Sequence, residues 1–345
     1  MKLLITIDTE CDNAWSKPND VTTENAKYLP RFQSLCETYG FKPTYLVTYE
    51  MAKDEFFLEF AIDVLKRHTG EIGSHLHAWY SPPKYNLTSD DMQFHPYLLE
   101  YPEEIIRKKV KFLTELLEDT FGRKMYSHRA GRWGLNATYA RILVENQYLV
   151  DCSVTPHKKW DAVSRPSSEP PCPDIDYTDF PDEPYFLDAE DISKPGKLPV
   201  LEIPVTLIPS YNRLLSNIYS LFSEGNVRRG IRFLFGRPVK WFRPHWIYKE
   251  LMEVAKRRVR ENSDYIMFML HSSEFMPGGS PNFKTMKDIN RMYDGVEEAF
   301  QYLADNGAKG LTCYEYYQEF TSCMGKNGLD HRFGQISSTE KLFNI

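Results

Sequence analysis

Apolar positions along the chain fall into two kinds of run. Short, nearly unbroken stretches recur at 2–7 (KLLITI), 43–48 (PTYLVT), 70–77 (GEIGSHLH), 124–129 (KMYSHR), 148–153 (YLVDCS), 201–209 (LEIPVTLIP), 265–270 (YIMFML) and 310–313 (GLTC). Runs this short, without strict alternation, predict strands buried on both faces. Between them stand longer segments with apolar residues at every third or fourth place. They predict helices over 23–39, 54–69, 102–122, 136–147, about 245–262 and 285–306, with a basic helical stretch near 213–236. In the second, Phe57, Phe60, Ala61, Val64 and Leu65 share one face. The third opens on Pro102 and two glutamates and stops at Gly122, the order that suits the two ends of a helix.

Strands alternating with helices predict an α/β fold with a mainly parallel sheet. Seven or eight strands favour a barrel, or a distorted (β/α) barrel, over an open sheet. Residues 156–200 break the rhythm. They are dense in Pro, Asp and Ser and read as a long irregular insertion. Residues 325–345 read as a polar tail, which places the domain at 1–324.

Composition narrows the function classes. The chain has 345 residues, 42% of them hydrophobic, enough for one barrel-sized core. Net charge is −6 with both signs interspersed, so no basic face for nucleic acid is expected. The six cysteines are scattered without a CxxC pair, which argues against a zinc ribbon or a dense disulfide framework. No stretch is apolar for long enough to be an integral membrane segment. The first residues run straight into strand-like sequence with no leader pattern, so the chain reads as cytoplasmic.

In parallel α/β folds chemistry collects where strands end. After the first strand come Asp8, Glu10 and Asp12; after the third, His75 and His77; after the fourth, His128 and Arg129; after YIMFML, His271. His75 and His77 lie two apart, so on extended backbone both imidazoles point the same way and can reach one metal ion. The alternative reading of the pair is two hydrogen-bonded histidines, the lesser of the two. Asp8 and Glu10 share a face by the same spacing. One carboxylate beside two imidazoles completes a site with open positions, and the other acid is then free to act as a general base. Arg129 can hold that base ionised. His271 is a candidate acid for a leaving amine. Asp12, beyond the strand, reads as a solvated loop acid.

Four stretches together, TIDTECD, EIGSHLHAWYSPP, SHRAGRWGLN and MLHSSEFMPGGSPNF, resemble the polysaccharide deacetylases (NodB homology, carbohydrate esterase family 4) over roughly residues 1–320. Their wording is nearer still to the WalW-type branch associated with lipopolysaccharide biosynthesis. The resemblance implies a distorted (β/α) barrel that binds zinc or another divalent ion and removes acyl groups from a sugar or glycan precursor. It implies Asp8 as base, Glu10, His75 and His77 as metal ligands, Arg129 orienting Asp8, and His271 as acid. Three positions depart from the family's usual wording. The acid pair is Asp-x-Glu, Trp79 stands four places after His75 where the second histidine is usual, and Met269 replaces the leucine before the late histidine. The aspartate that supports the late histidine in the family has Asp151 and Asp161 as candidates. Two other readings use the same residues: a non-catalytic carbohydrate-binding protein on this fold, and a metal-free glycoside hydrolase built on the acid pair.

Overall fold

The computed structural model describes residues 1–13, 20–160, 172–211, 215, 218, 227, 230–231, 238–245 and 249–326. From the N-terminus the elements are β1 (Lys2–Thr9), α1 (Leu29–Thr38), β2 (Pro43–Val47), α2 (Glu55–Lys66), β3 (Glu71–Leu76), a one-turn α3 (Asp91–Phe94), α4 (Glu103–Phe121) and β4 (Ser127–Ala130). There follow α5 (Ala137–Glu145), β5 (Val150–Asp151), β6 (Tyr185–Phe186), β7 (Leu201–Glu202), β8 (Leu207–Pro209), β9 (Val239–Trp241), α6 (Lys249–Arg260), β10 (Tyr265–His271), α7 (Met286–Asp305), β11 (Lys309–Leu311) and α8 (Cys313–Lys326).

Local chemistry sets the helix ends. Asp54 caps α2 by accepting from the Phe57 amide, and the five apolar residues of its predicted face are all buried. Gly122 ends α4 at φ 63°, a conformation open to glycine at little cost. Thr285 and Asp288 form a reciprocal capping box on α7.

The main sheet runs β10-β1-β2-β3-β4-β5-β7-β6, parallel throughout except for the β6–β7 pair. β11 adds to β1 at Lys2–Leu4, just short of where β2 begins to pair at Ile5. The two ends of this curled sheet meet without a strand ladder. The Met267 amide donates to Thr206 Oγ1 (2.8 Å) and the Tyr265 hydroxyl to the Pro204 carbonyl (2.8 Å). The result is a distorted (β/α) barrel.

Alternation along β1 sorts its side chains. Leu3, Ile5 and Ile7 pack with the helices outside, while Leu4 belongs to a second core inside the barrel with Met267, Met269, Val150 and Leu201. Thr6 and Asp8 follow Leu4 on the inward side, and both bond to Arg129. Register then gathers the strand ends, since Asp8 is level with His271 and His75 with Arg129.

Some expectations change. The sheet has nine strands among the described residues rather than seven or eight, because β6, two residues long inside the Pro-rich insertion, leaves no readable pattern. The 156–200 insertion is not wholly irregular: it supplies β6 and an isolated bridge between Lys159 and Asp176. GLTC is strand only as far as Leu311. Cys313 opens α8, a helix absent from the sequence reading because its tyrosine-rich first turns favour strand as readily as helix. α8 crosses the expected boundary at 324. The rest of the tail and most of the basic stretch 213–236 lie outside the described residues. No described helix is long and apolar enough to cross a membrane.

Candidate metal and catalytic site

The inward face of β1 delivers Asp8 to the Arg129 guanidinium, at 2.5 Å from Arg129 Nη1 to Asp8 Oδ1. Both side chains are almost wholly out of solvent. Three further contacts fix the guanidinium: Nη2 donates to Thr6 Oγ1 (2.8 Å), Nε donates to the Cys152 carbonyl (2.8 Å), and the Met267 sulfur lies 3.7 Å from Nη2. A planar donor held at several edges is a rigid partner for a carboxylate. Burial pushes the Asp8 carboxyl up, but Arg129, with His75 and His271, outweighs it and holds the carboxyl below its usual range. The second oxygen, Oδ2, faces inward, 4.0 Å from His75 Nε2 and 3.8 Å from His271 Nε2.

Glu10, His75 and His77 converge beside it, each offering one ligand atom within 4.8 Å of the others. Glu10 Oε2 is 2.9 Å from His77 Nε2 and 3.6 Å from His75 Nε2. Atoms bound tetrahedrally to a zinc ion at ~2.0–2.2 Å stand roughly 3.2–3.6 Å apart, so small adjustments would seat one. His75 Nδ1 donates to the Arg129 carbonyl (2.9 Å), which fixes the tautomer and turns Nε2 toward Glu10. His77 Nδ1 is buried without a hydrogen-bond partner among the described residues, and a Cβ on Gly131 would meet it at 2.6 Å. Gly131 thus makes room for the His77 ring. The Trp79 ring packs against the same imidazole at 4.5 Å between centroids.

Electrostatics favours a cation here. Burial raises the Glu10 carboxyl, yet hydrogen bonds from His75 and His77 bring it well below its usual range. Burial lowers His75, yet Asp8 and Glu10 bring it above its usual value; His77 stays lowered, chiefly by burial. Two buried carboxylates face one fixed guanidinium, a deficit of positive charge that raises His75. A divalent ion among the three ligands would meet the same deficit.

His271 ends β10. Its Nδ1 lies 3.1 Å from Glu274 Oε2, which also accepts from the His271 amide (3.1 Å) and pairs with Arg243 (2.6 Å). Burial lowers the imidazole, but the Glu274 hydrogen bond, with Glu10 and Asp8, brings it above its usual value. Burial raises Glu274, but Arg243 and His271 hold it down to about 2. Among the described residues the carboxylate bonded to His271 Nδ1 is Glu274, where the sequence offered Asp151 and Asp161 as candidates. Asp151 is engaged elsewhere, 2.7 Å from His128 Nδ1, and Asp161 lies outside the described residues. The signal for Glu274 was in the sequence: a glutamate three residues after the strand's last residue, the spacing of a capping box.

Asp12 is also corrected. It is buried, accepting from Thr22 Oγ1 (2.5 Å) and the Asn25 amide (3.3 Å). It holds the chain that returns to the site, where Asn25 Nδ2 donates to the Glu10 carbonyl (2.8 Å) and to Ser272 Oγ (2.7 Å). Ser272 Oγ in turn bonds the Glu10 carbonyl (3.0 Å) and accepts from the Glu10 amide (3.0 Å). Asn25 and Ser272, which the sequence did not single out, tie the ends of β1 and β10 together.

A stacked column rises from Arg129. Its Cζ lies 5.2 Å from the Trp133 ring, Trp133 stacks on Trp160 (5.7 Å, 14°), and Lys158 Nζ stands 4.0 Å over Trp160. Trp241 meets both tryptophans edge-on. The insertion thus reaches the site through Lys158 and Trp160. Arg132 and Trp133 both adopt positive φ (54° and 65°), which costs on the order of 1–3 kcal/mol each. The Tyr177 hydroxyl holds this turn by donating to the Trp133 carbonyl and accepting from the Leu135 amide (3.3 Å).

No family model and no curated protein matches the sequence. Solved structures do match in fold. A protein from Mycobacterium smegmatis described as a polysaccharide deacetylase aligns over 94% of this chain and 91% of its own, with a TM-score of 0.53 at 14% identity. A protein from Parabacteroides distasonis described as a glycoside hydrolase/deacetylase aligns over 92% of this chain and 70% of its own, with a TM-score of 0.56 at 12% identity. At these identities the likeness is one of fold, that of the NodB-like (β/α) barrel.

Proposed function

We propose that the protein is a metal-dependent hydrolase that removes an acyl group, N-acetyl in the first instance, from a sugar used in building a cell-surface polysaccharide or lipopolysaccharide. One observation carries the reading: the two acids of β1 have different partners. Asp8 is held by Arg129 through one oxygen with the other turned inward, and Glu10 stands against two imidazoles. Hydrolysis assisted by a metal needs such a division between a carboxylate that binds the ion and one that takes a proton.

Glu10, His75 and His77 would hold the ion, and the chemistry of their donor atoms suits zinc. When bound, the ion supplies a Lewis acid for an acyl carbonyl and acidifies a water. Asp8 Oδ2 takes a proton from the attacking water, and Arg129 keeps Asp8 ionised until that transfer. His271 Nε2 gives a proton to the departing amine, and Glu274 holds the opposite ring nitrogen. The net change is amide plus water to carboxylate plus protonated amine. The sugar class rests on the deacetylase-like fold and on the wording of the four family-like stretches.

Acetate release from N-acetylated sugars with added zinc tests the reading, with Asp8→Asn expected to abolish it. A purified protein without affinity for divalent ions, its stability unchanged by a chelator, would overturn it.

A further inference from the structure

A hollow of about 640 Å³ lies among β8, β9, α6 and α7 and shares no residue with the site above. Its volume falls within the range of roughly 300–1,000 Å³ of small-molecule sites. Four cations line it, Lys240, Lys256, Arg257 and Arg260, against one carboxylate, Glu253, in a chain of net charge −6.

Basic residues in the last turn of a helix ordinarily offset its dipole. That accounts for Arg257 and Arg260 at the end of α6, but not for Lys240, which comes from the β9 hairpin. The pairing is also uneven. Lys240 pairs with Glu253, Arg257 with Glu261 (2.7 Å), and neighbouring Arg258, outside the hollow, with Glu183 (3.0 Å). Lys256 and Arg260 have no carboxylate partner among the described residues, and both border the hollow.

Two of the cations also bond to the backbone. Arg257 Nη1 donates to the Pro209 carbonyl (3.2 Å), fastening α6 to the end of β8. Arg260 Nε donates to the Lys256 carbonyl (3.3 Å), and Lys256 Nζ lies 5.9 Å from the Tyr302 ring. The hollow therefore presents two cations without a carboxylate partner among the described residues, Lys256 and Arg260, beside two that are paired. Guanidinium forks beside ammonium groups match phosphate oxygens in charge and donor geometry.

We propose that this hollow binds a phosphate-bearing ligand of diphosphate or phosphodiester character. A soluble nucleotide and a phospholipid headgroup are two carriers of that chemistry. The site's occupation does not depend on acyl hydrolysis.

Calorimetric titration of the full chain with inorganic pyrophosphate and with a nucleoside diphosphate, beside sedimentation with phosphatidylglycerol vesicles, tests it. A Lys256→Glu/Arg260→Glu variant is compared with a Lys108→Glu/Lys111→Glu control of the same charge change; all four positions are exposed. Saturable binding weakened at least tenfold in the first variant and less than twofold in the control is expected. Soluble probes alone would identify a free ligand, and vesicles alone a headgroup. Failure of every probe to bind at millimolar concentration would overturn the proposal, as would equal weakening by the control. Acetate release is not among the readouts, so loss of the deacetylase reading would leave this result standing.

Discussion

Arg129 binds one oxygen of Asp8 at 2.5 Å and leaves the other facing His271. Neither residue can be removed alone without stranding a buried charge. Arg129→Met is expected to cost about 3–5 kcal/mol of stability, the usual range for breaking a buried ion pair. The double variant Arg129→Met/Asp8→Asn should recover more than half of that loss. Urea unfolding of the single and double variants measures it; additive losses would mean the pair is not coupled.

Metal content is the second expectation. Wild-type protein loaded with zinc and dialysed should retain about one ion per chain, and His75→Ala and His77→Ala should each bind at least tenfold more weakly. Ligand at a hundred times its dissociation constant stabilises a fold by about 2.7 kcal/mol and at ten times by about 1.4 kcal/mol, so chelation should lower the melting temperature of wild type clearly more than that of either variant. Elemental analysis paired with thermal melts reads both. If only His75→Ala loses metal, His77 is a neighbour and not a ligand.

Glu274 sets the pH range over which His271 keeps its proton. The raised imidazole contributes stability that is full below the unfolded value, about 6.5, and is lost as pH rises through the folded value. A reaction needing protonated His271 should therefore lose rate on the alkaline side. Glu274→Gln removes the charge that raises the imidazole, so that limb of the kcat profile should move to lower pH. An unmoved limb would show that His271 is not the acid.

Tyr177→Phe removes a hydroxyl bonded at both ends of a strained turn. We expect a loss of about 1–2 kcal/mol, together with a change in the near-ultraviolet dichroism of the stacked tryptophans as Trp133 relaxes. A full energetic loss with an unchanged aromatic spectrum would mean that the hydroxyl stabilises the insertion without steering Trp133.

The sequence was most readable where period and burial agree. Alternation along β1 separates Leu3, Ile5 and Ile7 from Leu4, Thr6 and Asp8, and the same rule brings His75 and His77 to one point. It was least readable where a side chain's partner is remote. Asp12 looks solvated until the chain returns with Thr22 and Asn25, and nothing local announces that return. Arg243 reaches Glu274 across 31 positions of sequence. The three tryptophans are brought together by a turn whose positive φ values no propensity predicts. β6, two residues inside the insertion, carries no pattern of its own and exists because β7 offers it hydrogen bonds.

β1 is paired on both edges, with β10 along one and β2 and β11 in succession along the other. Its amides are therefore expected among the slowest in the molecule to exchange with deuterium, opening only when the whole barrel opens. Asp8 belongs to that strand, whereas His77 lies past the end of β3, on the segment that leaves the sheet. Loss of function under mild heat should then begin as a loosened imidazole, while the carboxylate and its guanidinium remain in register until the last cooperative step.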